Sequence, residues 1–77
     1  VKPDRNLVAL GDEIRRHREA KDLSQEALAE LAGMSRNYVG FIERAERSPR
    51  ATTIFKLARA LGLHPSDLLR EMRWPAR

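Results

Sequence analysis

Residues 23–46 read LSQEALAELAGMSRNYVGFIERAE, two short apolar-periodic runs separated by AGMS. Neither run is long enough to hold as an isolated helix in water, because the first turn is costly and few later turns repay it. Each must lean on neighbours. Ser24 stands where its hydroxyl can cap a helix running from Gln25 to Ala32. Gly33 ends that helix, since a residue without Cβ enters the left-handed region at least cost. Ser35 caps the next helix, Arg36 to about Ala45. Two helices joined by a tight glycine turn cross steeply, so the second projects outward.

The two helices divide their faces. Ala29 faces the turn, where a small side chain lets the helices approach, and Leu28, Ala32, Val39 and Ile42 supply apolar contacts. At about 100° per residue, Val39, Ile42 and Glu43 share the inward face of the second helix. Asn37, Phe41 and Arg44 point outward, and Tyr38 falls between. Arginine and asparagine near the start of an outward-facing helix suit the DNA major groove: arginine bonds both acceptors of guanine, and asparagine bonds adenine bidentately.

Outward from this stretch the chain reads as helix throughout, with no alternating β-branched run. A helix from Leu7 to Lys21, with Asn6 as N-cap, places Leu7, Leu10, Ile14, His17 and Arg18 on one face. Asp12, Glu13, Arg15, Arg16 and Glu19 fall mostly outside it. Pro49 breaks the basic loop RSPRA. A fourth helix from Ala51 to Leu61 is expected to bury Ile54, Phe55, Leu57, Ala58 and Leu61, and Gly62 stops it. A fifth starts at His64-Pro65 and carries Leu68, Leu69 and Met72. The expected organisation is a flexible arm over 1–6, one all-α domain of five short helices over 7–72, and a tail over 73–77.

Seventy-seven residues make one domain near the lower limit for an unaided core. There is no cysteine, hence no disulfide or thiolate site. No apolar run approaches the roughly 20 residues a bilayer span needs, and no signal-peptide pattern opens the chain. A cytoplasmic, nucleoid-associated protein with no membrane partner is the expectation. Fifteen Lys and Arg against eleven Asp and Glu give a formal charge of +4, which favours a polyanionic partner. His17 and His64 have no carboxylate pair at ligand spacing, so no metal or other cofactor is expected, nor a small-molecule ligand. Nothing pairs a nucleophile with a base, and there is no Gly-rich phosphate loop, which argues against an enzyme.

The run SQEALAELAGMSRNYVGFIER is similar to the helix-turn-helix of the Cro/phage-repressor type, the xenobiotic-response-element family. Gln25, Ala29, Gly33, Val39, Ile42 and Glu43 carry the match. LGDEIRRHREAKDLSQ before it and IFKLARALGLHPSDLL after it extend the resemblance over about residues 7 to 72. Length and the Arg-Asn-Tyr start resemble the small stand-alone members, including restriction–modification controller proteins. The resemblance implies a lambda-repressor-like fold and a sequence-specific transcriptional regulator of double-stranded DNA.

Roles follow from that resemblance. Gln25 would bind a phosphate, together with Ser24, Ser35 and backbone N–H groups at the helix starts. Arg36, Asn37 and Phe41 occupy the base-reading positions. Polar residues are commoner at the Phe41 position; its ring could touch a thymine methyl or fold back beside Tyr38. Tyr38 can anchor on the core and donate its hydroxyl to a phosphate. Arg44, Arg47 and Arg50 would add phosphate contacts, against the plainer reading of a solvated basic loop. Gly40 costs about 1 kcal/mol relative to alanine in a helix interior, tolerable if DNA backbone or a neighbouring helix packs closely there. Arg18 and Glu43 both face inward, where an unpaired charge is expensive, and the family implies that they form a structural ion pair. His17 stands where relatives usually carry leucine and is expected at the core edge, bonded to a carbonyl or water.

A reader of this size contacts few base pairs, so a two-fold homodimer on a pseudo-palindromic operator is expected. Leu63, Leu68, Leu69, Met72 and Trp74 offer an apolar interface for it. The competing reading is a protein-interaction module or an antitoxin docking a partner protein. Arg36-Asn37 with the basic loop separates the two, since an interaction module does not require them.

Overall fold

The computed structural model describes residues 4–73. It contains α1 (Arg5–Ala20), α2 (Gln25–Ala32), α3 (Arg36–Glu43), α4 (Ala51–Ala60) and α5 (Pro65–Leu69), with no strand among the described residues. The fold is therefore all-α, as expected. Trp74 lies outside the described residues.

The caps at Ser24 and Ser35 are as the sequence implies. Ser24 Oγ accepts from the Ala27 N–H at 3.0 Å, and Ser35 Oγ from the Tyr38 N–H at 3.1 Å. The start of α1 differs from expectation. Asp4, two residues before Asn6, is the cap, its Oδ1 accepting from the Asn6 and Leu7 N–H groups at 2.7 and 3.3 Å. A carboxylate at a helix N-terminus also meets the positive end of the dipole. The Asn6 side chain instead holds the far end of the domain. Its Oδ1 accepts from the Arg73 N–H at 2.8 Å, and its Nδ2 donates to the Arg73 carbonyl at 2.9 Å. Residues 5 and 6 thus belong to the domain, and Arg73, expected in the tail, is fastened to α1. Helix α5 is shorter than expected. It ends at Leu69, and His64 Nδ1 accepts from the Ser66 N–H at 3.1 Å while Asp67 Oδ2 accepts from the His64 N–H at 3.0 Å.

Helices α1 to α4 end alike. In each, one residue turns left-handed and two crossed backbone hydrogen bonds close the last turn. The left-handed residues are Asp22, Gly33, Ala45 and Gly62, with φ of 56°, 71°, 60° and 71°. After α2, for example, Met34 N–H reaches the Ala29 carbonyl at 2.9 Å and Gly33 N–H the Glu30 carbonyl at 3.2 Å. The glycine stops are evident from sequence; Asp22 and Ala45 make the same turn without a glycine.

The core comprises Leu10, Ile14, Leu28, Ala29, Ala32, Val39, Ile42, Leu57, Ala58, Leu61 and Leu68. Helix α3 packs on α2, α2 on α4, α4 on α5, α5 on α1, and α1 again on α3, so the helices ring one interior. Two expectations fail at its edge. Phe55 is 55% exposed, because Ile54, Leu57, Ala58 and Leu61 form the inward stripe and Phe55 stands to one side of it. Glu13, expected outside, is buried at 4% exposure beneath Arg16, whose Nε donates to Glu13 Oε1 at 3.1 Å.

Gly11 sets the approach of α1 to α3. A Cβ there would stand 2.6 Å from the Glu43 carbonyl oxygen and 2.7 Å from that of Ile42. Only a glycine lets the helices meet at this distance.

Candidate nucleic-acid interface

Glu43, at the end of α3, orders the surroundings. Its carboxylate, 2% exposed, accepts from Arg18 Nε at 2.7 Å through Oε2 and from Arg18 Nη2 at 3.0 Å through Oε1. Arg18 Nη1 donates in addition to the Leu23 carbonyl at 2.8 Å. Gln25 Nε2, at the first position of α2, donates to the same Glu43 Oε1 at 3.0 Å. One buried carboxylate therefore ties together the end of α1, the turn before α2, the start of α2 and the end of α3. The hydrogen bonds from Arg18 to Glu43 raise the arginine pKa from its already high value, burial opposing them and the Glu43 charge adding to them. With the folded value above the unfolded one, this contribution of the arginine is lost as pH rises through the folded value.

The start of α3 is open. Arg36 and Asn37 are exposed, and the Arg36 side chain lies 3.8 Å from Glu26 in the first turn of α2. That contact links side chains from the first turns of α2 and α3. Each turn offers backbone N–H groups with no partner inside its helix, a setting that favours an anion. Neither Arg36 nor Asn37 is packed inside the protein.

Along the same helix the structure gathers Gln25, Gly40, Phe41, Arg44 and Arg47. A Cβ on Gly40 would stand 2.9 Å from Arg44 Nη1 and 3.6 Å from Gln25 Oε1. The close neighbour of Gly40 is thus the Arg44 side chain, lying along its own helix. Arg44 is held further by Glu46, Nε donating to Oε2 at 3.1 Å and Nη2 to Oε1 at 3.3 Å. The guanidinium carbons of Arg44 and Arg47 lie 5.4 and 5.3 Å from the centre of the Phe41 ring. Tyr38 is half-buried against the core. Arg50 stands exposed immediately before α4.

Other residues fall elsewhere. Leu68 is fully buried in the core, so it has no surface to offer a second copy. Leu63, Leu69 and Met72 are half-buried near it. His17 Nε2 meets Arg16 Nη2 at 3.3 Å and Glu13 Oε1 at 3.7 Å, two charged side chains at the core edge. Among the described residues no group of three or more acidic or histidine side chains could hold a metal ion, and no helix is long and apolar enough to cross a membrane. Glu46 and Gly11 shape the interface although sequence spacing marks neither. Glu46 reads as one more surface carboxylate until the left-handed turn at Ala45 folds it back beside Arg44.

Comparison with known proteins supports the geometry. The helix-turn-helix family profile HTH_3 matches residues 14–68. Control protein C.SmaI of Serratia marcescens is 42% identical over 60 residues, covering 78% of this chain and 71% of the relative. The crystal structure of the restriction–modification controller protein C.AhdI from Aeromonas hydrophila superimposes with a TM-score of 0.79 at 48% identity, covering 80% of this chain and 94% of that one. The P22 c2 repressor, crystallised with a synthetic operator, matches with a TM-score of 0.74 at 31% identity, covering 79% of this chain and 92% of that one. With the family profile spanning most of the chain and a relative this similar, the chain belongs to the helix-turn-helix family of the xenobiotic-response-element type, and is a transcriptional regulator with a DNA-binding fold.

Proposed function

We propose that this regulator binds a pseudo-palindromic operator in double-stranded DNA as a homodimer, with α3 of each copy in a major groove. The observation that carries the reading is the exposure of Arg36 and Asn37 at the start of a helix whose opposite face is anchored by Val39, Ile42 and Glu43. Arg36 and Asn37 read base edges. Gln25, the backbone N–H groups behind Ser24 and Ser35, Tyr38, Arg44, Arg47 and Arg50 bind phosphates on either flank. Kinship with control proteins and phage repressors supports an operator as the ligand.

The half-buried surface of Leu63, Leu69 and Met72 joins two copies, so that two α3 helices meet half-sites about 34–36 Å apart. Selection from a pool of random duplexes tests the reading: it predicts a consensus of two inverted half-sites at that spacing. A consensus without internal symmetry would reject the dimer, and no enrichment at all would reject operator binding. Met72→Glu separates the two halves of the proposal. It is expected to shift sedimentation toward the monomer and weaken binding to the full site, while affinity for an isolated half-site stays unchanged.

A further inference from the structure

Phe41 sits on the outward face of α3, yet it is only half-exposed, because two guanidinium groups cover it. The arrangement has several supports. Gly40 leaves the helix face bare where Arg44 lies, and Glu46 grips Arg44 from its other edge through two hydrogen bonds. The left-handed turn at Ala45, closed by the Glu46 N–H on the Phe41 carbonyl at 2.8 Å, brings the chain back so that Arg47 returns to the ring. A guanidinium held near an aromatic ring is attracted by the π-system, and that attraction uses none of its N–H groups. The planar N–H edge of Arg47 is left for an acceptor, and Arg44, whose Nε and one Nη2 hydrogen go to Glu46, keeps its other Nη hydrogens. Without the ring, each long side chain would have to lose its rotamer freedom when it met that acceptor.

We propose that Phe41 is a positioning residue: it acts on DNA by presenting Arg44 and Arg47 to backbone phosphates, and does not itself read a base. The proposal rests on the DNA-binding reading above. It assigns the one aromatic side chain on the outward face a sequence-independent role, and it makes Glu46 part of the same device.

The test is a double-mutant cycle on two 30-base-pair duplexes, one selected by the wild-type protein from a random pool and one of unrelated sequence. Thermal melting first establishes that each variant is folded, with Phe41→Gln used if Phe41→Leu melts early. Phe41→Leu is expected to weaken binding to both duplexes alike, by about 2- to 13-fold for each arginine side chain whose ordering the ring supplies. Phe41→Tyr, which keeps a ring, stays within about 2-fold. In an Arg44→Ala/Arg47→Ala background, Phe41→Leu produces no further loss. Loss confined to the selected duplex and additive with the arginine changes would overturn the proposal in favour of base reading. A folded Phe41→Leu protein with unchanged affinity would overturn it as well. If the wild-type protein enriches no duplex from the pool and does not bind the unrelated one at low salt, the underlying DNA reading falls, a result distinct from both.

Discussion

At Glu43 a single side chain decides whether the two helices of the motif keep their angle. Its carboxylate is nearly sealed from water and receives Arg18 and Gln25 on one oxygen and Arg18 again on the other. Removing one partner of such a pair leaves a buried charge without compensation. Arg18→Met should therefore destabilise the fold by about 3–5 kcal/mol, read as a shift in the urea midpoint; a loss below about 1 kcal/mol, the scale of an exposed pair, would mean that water reaches Glu43. Ala45 offers the opposite case. Its φ of 60° costs a non-glycine residue about 1–2 kcal/mol, part of which glycine gives back through greater freedom in the unfolded chain. Ala45→Gly is expected to stabilise the protein by up to about 1 kcal/mol, measured in the same urea titration. The two residues differ in how openly the sequence announces them. Glu43 falls on the inward face by helical spacing, and a charge there demands a partner. Ala45 has nothing in its side chain to signal a left-handed turn; the backbone adopts it because α3 must stop before the basic loop.

At the scale of elements, local chemistry marks boundaries better than it marks contacts. Ser24, Ser35, Gly33 and Gly62 announce caps and stops because each supplies an oxygen or a backbone freedom that its neighbours lack. The beginning of α1 is ambiguous on the same grounds, since Asp4 and Asn6 are both good caps, and the choice depends on a contact with Arg73 at the far end of the domain. Phe55 and Glu13 depart from expectation for a related reason. Helical spacing ranks the faces of one helix and is silent on which neighbour covers the edge of a face. Gly11 is the sharpest instance, because its role exists only where α1 meets the carbonyl groups ending α3. Gly11→Ala should force these helices apart at a cost of about 1–3 kcal/mol, despite the better helix propensity of alanine. A more stable Gly11→Ala protein would show that the close approach is unnecessary.

Over the whole molecule, the helices of the described residues close a ring around one small interior, and most of the outward face of α3 is left uncommitted to the core. The outward direction of Arg36 and Asn37 is legible in the sequence because Val39, Ile42 and Glu43 fix the opposite face. The grouping of Phe41 with Arg44 and Arg47 is not, since it depends on the turn after α3 folding back. The apolar surface expected to join two copies is smaller than the sequence suggests, because Leu68 is spent on the core. What remains at Leu63, Leu69 and Met72 lies beside the segment that Asn6 fastens down. Affinity for DNA should fall steeply with salt, by about 0.9 in log-log slope for each phosphate neutralised. Whether the outward start of α3 reads sequence is decided by the binding of wild type and Arg36→Ala/Asn37→Ala to the selected and unrelated duplexes at fixed salt. Each lost bidentate contact is worth about 1–3 kcal/mol of discrimination, so the double variant should lose its preference for the selected duplex while melting as the wild type does. Undiminished preference in a folded double variant would mean that Arg36 and Asn37 do not read bases.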